Sequence, residues 1–188
     1  MQRKIESMLI QMAVMLTLLH LSMSAKNCCK DIKSIKSDIE TLKKSVQCQS
    51  SCPTYFTRHL DSCYLFVTMP NAAATWSDAS YYCSTHNAHL VAIETEAEHT
   101  YIVGKLHSDG KSGLYFWTGG NDLTGEWQWS GGPCFETKPM EFTKWHPGQP
   151  DEASGNENCM DLHAKWSLNW NDFNCDHKIQ SICEINLI

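Results

Sequence analysis

Between Gly148 and Cys159 the chain reads GQPDEASGNENC. Gln149, Asp151, Glu152, Asn156, Glu157 and Asn158 place six carboxylate or amide side chains in this stretch, with almost nothing apolar among them. Asn171 and Asp172 add a further amide and acid in the segment "NWNDF". Such oxygens suit a hard divalent cation: calcium takes six to eight of them at about 2.3–2.6 Å. They equally suit water, because Asn, Asp and Gly are the ordinary residues of turns. A turn accounts well for "ASGN" and leaves the acids around it to be explained.

Other chemistries are poorly represented. Ser, His and acidic residues occur, but no nucleophile motif or phosphate-binding loop places them, so catalysis is not expected. There are ten cysteines. "CQSSC", from Cys48 to Cys52, has nearly zinc-like spacing without a partner pair of Cys or His, so disulfides in an oxidising compartment are favoured. From Ser51 onward seven Lys and Arg face seventeen Asp and Glu, a net charge of −10. An acidic domain argues against nucleic acid as a partner and is compatible with cation binding.

The elements that must hold the polar loop are short. "CPTYFTRHLDSCYLFV" reads as two strands around a turn. "TWSDASYYCSTHN" puts Trp76, Ala79 and Cys83 on one helical face. "TEAEHTYIVGKLH" reads as a second helix, with Glu in its first turn and Ile102, Val103 and Leu106 on an apolar side. "LYFWTGG", "GEWQWSGG", "NCMDL", "LNWNDFNC" and "QSICEI" read as strands separated by Gly, Pro, Asn and Asp. Residues 122–165 have little periodicity, which is long for a structureless stretch and marks a loop tied down for function.

The first 51 residues read differently. Arg3 and Lys4, the apolar run "MLIQMAVMLTLLHL" and the small residues "SMSA" follow the order of a secretory signal over 1–24. A membrane anchor is the competing reading, but the run is short of the ~20 residues a span needs. Residues 25–51 carry Ile32, Ile35, Ile39, Leu42 and Val46 in a heptad seam. Asp31 with Lys36, and Asp38 with Lys43, are then placed to pair across a parallel partner. So short a coil needs support, and Cys28, Cys29 and Cys48 could supply it as interchain disulfides of a homo-oligomer. The alternative is an amphipathic helix packed on its own domain.

From Cys52 to Ile188 the residues resemble the C-type lectin domain family. "WTGG" at Trp117 to Gly120, "LVAIETEAEH", "QPD" at Gln149 to Asp151, "ENC" at Glu157 to Cys159 and "WND" at Trp170 to Asp172 fall in the family order. The short, signal-bearing form looks most like secreted invertebrate, perlucin-like members. The resemblance implies an α+β double-loop fold over 52–188, with two helices, two small antiparallel sheets and an N-terminal hairpin. It implies the disulfides Cys52–Cys63, Cys83–Cys183 and Cys159–Cys175. Cys134 departs from the pattern, and pairing with Cys48, with another chain or with nothing all stay open.

The same resemblance implies a calcium ion held by Gln149, Asp151, Glu157, Asn171 and Asp172, with a cis Gln149–Pro150 bond aiming neighbouring side chains at one point. In the family such an ion also takes two vicinal sugar hydroxyls, which hydrogen-bond the same ligands. An amide at 149 and an acid at 151 reverse the mannose-type arrangement, so galactose or N-acetylgalactosamine is expected. An aromatic platform usually follows QPD, and "EASGN" stands there instead. Trp166 is the expected substitute, with Trp145 and His146 as others; without a platform, specificity could be broad or favour mannose. Trp145 and Trp170 read equally as core, and His146 and His163 as surface residues. A second calcium at Asp122, Glu126, Glu152 and Asn158 competes with a plain polar turn. The function expected is a secreted, multivalent lectin recognising or agglutinating glycans in innate immunity. An acidic matrix protein on calcium carbonate is the alternative, and an ice-binding relative is a third reading.

Overall fold

The computed structural model describes residues 51–69, 71–153 and 155–187. The signal and stalk expectations, including Cys28, Cys29 and Cys48, lie outside them. Strands β1 (Thr57–His59) and β2 (Ser62–Val67) form the N-terminal hairpin. Helix α1 (Trp76–Thr85) and the two-residue strand β3 (His89–Leu90) follow, then helix α2 (Glu96–Ser108). Strands β4 (Phe116–Asn121), β5 (Gln128–Trp129), β6 (Lys138–Pro139), β7 (Cys159–His163), β8 (Asn169–Phe173) and β9 (Gln180–Asn186) complete the order.

Both helices start at a threonine cap. Thr75 Oγ1 accepts from the Asp78 N–H at 3.2 Å, and Thr95 Oγ1 from the Glu98 N–H at 3.1 Å, so each satisfies a donor the first turn leaves free. Helix α1 buries Ala79 and Cys83 as its spacing predicts, and Trp76 is half-buried. Helix α2 buries His99 along with Ile102 and Leu106, and leaves Val103 half-buried.

Strand β9 is the spine. It pairs antiparallel with β2 and β3, and parallel with β4 at Phe116↔Gln180 and Trp117↔Ser181. The two antiparallel parts expected from sequence are therefore bonded into one nine-stranded network. Strand β4 also carries β7 and β5, and β7 carries β8. The paired glycines of "WTGG" are a matter of space. A Cβ on Gly119 would stand 2.8 Å from the Leu90 carbonyl oxygen, and one on Gly120 2.8 Å from Met160 Cβ.

The core has two parts. Ile93, Ile102, Leu106, Phe116, Trp129, Met160, Leu162, Trp170 and Ile182 form one; Leu90, Trp117, Cys83, Cys183 and Ile185 belong to the other. Trp170 packs edge-on to Trp129, Phe142 and Trp145 at 5.5–5.8 Å, so Trp170 and Trp145 are framework. Between described residues, three disulfides are formed: Cys52–Cys63, Cys83–Cys183 and Cys159–Cys175. Cys134 is also disulfide-bonded, which removes the unpaired alternative.

One buried polar group stands apart from the loop. Glu184 accepts from Ser62 Oγ, the Ala92 N–H and Asn186 Nδ2, while Glu98 accepts from Tyr64 Oη and the Glu94 N–H. Burial, and for Glu98 also the charge of Glu184, pushes both carboxyls up to about 7.

Candidate metal centre

The polar loop is fastened to β8 by one carboxylate. Asp172 is wholly buried and accepts from the Asp151 N–H at 3.0 and 3.2 Å and from the Glu152 N–H at 2.7 Å. The loop closes on itself where the Ala153 N–H donates to Glu157 Oε2 at 3.1 Å. Its start is set by Gly148 at φ +96°, a region that favours glycine, and by the Gln149 N–H donating to the His146 carbonyl at 2.8 Å. The Gln149–Pro150 bond is cis. The disulfide Cys159–Cys175 ties the end of the loop to the chain beyond β8.

This scaffold gathers three acids. Asp151, Glu157 and Asp172 each offer a carboxylate oxygen within 4.8 Å of the others. No Lys or Arg forms an ion pair with them among the described residues. Burial, followed by the negative charge of Asp172 and then of Asp151, raises the Glu157 carboxyl above its usual range. Gln149 Oε1 is buried and has no hydrogen-bond partner. Converging anions with no cation beside them, and an orphaned amide oxygen on the same loop, are what a hard cation would satisfy. The donor set, carboxylates and amide oxygens without sulfur or imidazole, fits calcium.

Asn171 lies next to Asp172 in β8 and is 4% exposed. Its Nδ2 donates to Asp161 Oδ1 at 3.0 Å, and Asp161 is a wholly buried carboxylate that sequence reasoning missed. In "CMDLH" Asp161 looks like the polar half of an ordinary alternation, and its burial comes from segments distant in sequence. His163, expected at the surface, is instead packed in. Its side chain is 12% exposed and its Nδ1 lies 3.2 Å from Asp161 Oδ2.

Trp166 sits on a short 3₁₀ turn, Ala164–Trp166, after β7. It stacks on His163 at 4.1 Å and on His146 at 4.5 Å, so imidazole rings already cover part of its surface. Around the expected second cation site the picture is thinner. The Asp122 N–H donates to the Asn158 carbonyl, and Asp122 Oδ1 is buried without a partner. Glu126 and Glu152 are exposed, and the carboxylates of Asp122, Glu126 and Glu152 do not converge among the described residues. A cavity of about 680 Å³ elsewhere, beside α1, is lined mainly by apolar groups such as Val67, Met69, Ala74 and Tyr82.

Comparison with known proteins agrees with this architecture. The family described as "Lectin C-type domain" matches residues 72–185. Perlucin of Haliotis laevigata is 35% identical over 136 residues, covering 71% of this chain and 82% of that protein. Human C-type lectin domain family 10 member A is 32% identical over 164 residues, covering 84% of this chain. The match spans 48% of that human protein, about half its length. Among solved structures, the mouse scavenger receptor C-type lectin carbohydrate-recognition domain superposes with a TM-score of 0.60 at 29% identity, over 73% of this chain and all of that one. The hairpin, the helices, the β9 spine and the family match together place this chain in the C-type lectin domain family.

Proposed function

We propose that this chain is a calcium-dependent carbohydrate-binding lectin. The observation that carries the reading is the convergence of Asp151, Glu157 and Asp172 beside the orphaned Gln149 oxygen. Gln149, Asp151, Glu157, Asn171 and Asp172 are the proposed ligands. A calcium ion there would supply open coordination positions for two vicinal sugar hydroxyls. The ligand side chains do the rest: each hydroxyl donates to a carboxylate oxygen or accepts from an amide NH₂. With the amide at 149 and the acid at 151, terminal galactose or N-acetylgalactosamine is the proposed sugar class. Trp166, backed by two histidines, is the proposed apolar surface for the ring. Its likeness to a domain named for carbohydrate recognition supports the reading.

The broader assignments belong to the same proposal. The domain is 52–188, the stalk 25–51 and the signal 1–24, giving a secreted, disulfide-linked oligomer. Single shallow sites gain avidity of roughly 10²–10⁴ when joined, which suits agglutination of glycan-coated surfaces in innate immunity. Asp122, Glu126, Glu152 and Asn158 are proposed at most as a weaker second cation site. The perlucin likeness and the acidic domain favour one other reading, a matrix protein on calcium carbonate. A glycan array in calcium and then in chelator separates the two. Galactose-type signals that vanish with chelator are expected; no glycan signal in calcium, together with adsorption to carbonate crystals, would favour the mineral reading.

A further inference from the structure

We propose that Asp161 is a positioning residue for the metal centre, fixing the Asn171 amide with its oxygen turned toward the ion. The proposal rests on the calcium reading above. The two ends of an Asn amide are nearly the same size, yet only the NH₂ donates and only the oxygen can ligate a cation. Something must therefore decide which end faces the site. Asp161 and Asn171 stand directly opposite on β7 and β8, where short side chains meet. Asp161 Oδ1 takes the Asn171 NH₂ at 3.0 Å, while Asn171 Oδ1 has no hydrogen bond among the described residues.

The carboxylate is itself held in place. His163 Nδ1 lies 3.2 Å from Asp161 Oδ2. The His163 ring stacks on Trp166 at 4.1 Å and meets the edge of Tyr115 at 4.7 Å. Trp166 in turn stacks on His146, whose carbonyl accepts the Gln149 N–H at 2.8 Å. The framework runs from one proposed ligand, Asn171, to another, Gln149. As a purely structural element Asp161 is a poor choice. A buried carboxylate is costly even when it is hydrogen-bonded, and an all-apolar replacement of such a polar pair is often as stable or more so. Its use here is orientation, the role outer partners take around metal ligands.

The test starts with chelated protein, where no ion contributes. The Asn171 side-chain NH₂ resonances should be resolved and exchange with solvent at least about tenfold more slowly than those of exposed Asn156. In Asp161→Leu they should move to free-amide positions, and the melting temperature should fall, because the buried Asn171 NH₂ loses its acceptor. The calcium Kd should then weaken by about 10–100-fold, and Asp161→Asn, which keeps one acceptor oxygen, should fall between. A generic structural role would lower stability while leaving the calcium Kd of the folded variant unchanged. Fast Asn171 exchange in the wild type, or an unchanged calcium Kd in folded Asp161→Leu, would overturn the proposal. Should Asp161→Leu not fold, the wild-type exchange rate decides. Wild-type protein that binds no calcium would instead sink the function reading, and the chelated-protein exchange still decides where the amide points.

Discussion

Replacing Asp151 by Asn should move stability in opposite directions with and without calcium. Its carboxylate lies within 4.8 Å of both the Glu157 and Asp172 oxygens. Two like charges at that distance repel by about 0.9 kcal/mol in a water-like dielectric and about 3.5 kcal/mol at an effective dielectric of 20. Asp151 is exposed, so the lower figure applies. Two neighbours give about 2 kcal/mol of relief in low salt and chelator, or a rise of about 5 °C in melting temperature for a domain of this size. Among the described residues the Asp151 carboxylate accepts no backbone hydrogen bond, unlike Asp172, so the amide sacrifices nothing comparable. Calcium at a hundred times the wild-type Kd stabilises the wild type by about 2.7 kcal/mol. With one of three anionic ligands gone, a site weakened a hundredfold would gain only about 0.4 kcal/mol at that concentration. Differential scanning calorimetry in both conditions reads the two effects. A variant that melts lower than wild type in chelator, or that keeps the full calcium shift, would refute the electrostatic account.

Other outcomes follow from the same geometry. Gln149→Glu combined with Asp151→Asn keeps the carboxylate count, so it should restore the calcium shift and move array signals from galactose toward mannose; unchanged sugar preference would detach specificity from these positions. Glu98 and Glu184 are pushed up to about 7 against an ordinary value near 4.5. The folded state therefore holds their protons more tightly, and the associated stability is present below pH 4.5 and lost as pH rises through 7. In chelator, Glu184→Gln should gain on wild type between pH 5 and 7.5, and a constant difference in melting temperature would contradict the burial argument. Opening Cys159–Cys175, which closes 16 residues, should cost about 3 kcal/mol in the chain-entropy picture. Calcium affinity should fall too, because Glu157 is two residues from the anchor, and a calorimetric titration giving wild-type affinity would break that link.

The helices were legible because their signals are local: a Thr cap, an acid in the first turn, and apolar residues at helical spacing. The aromatic strands were legible for the same reason. Strands β3 and β6 were not: each has two residues without the aromatic alternation that flags β5, and β3 exists only through β9, far along the chain. The parallel β4–β9 join is likewise non-local. At the site, the stretch from Gln149 to Glu157 announced oxygen chemistry through composition alone. Its association with Asn171 and Asp172 came from the family pattern rather than from spacing. Asp161 escapes notice in the sequence and His163 reads there as a surface residue, because burial, not residue type, gives them their place. Trp166, His146 and His163 each stand out in the sequence, but the stacking of the two imidazoles on the indole does not.

The most direct measurement is a crystal structure of the full chain grown with calcium and galactose. The account predicts one ion at about 2.3–2.6 Å from oxygens of Gln149, Asp151, Glu157, Asn171 and Asp172, with two vicinal hydroxyls of the sugar on the same ion. An ion bound elsewhere with these five side chains facing water, or a sugar held without touching the ion, would contradict it.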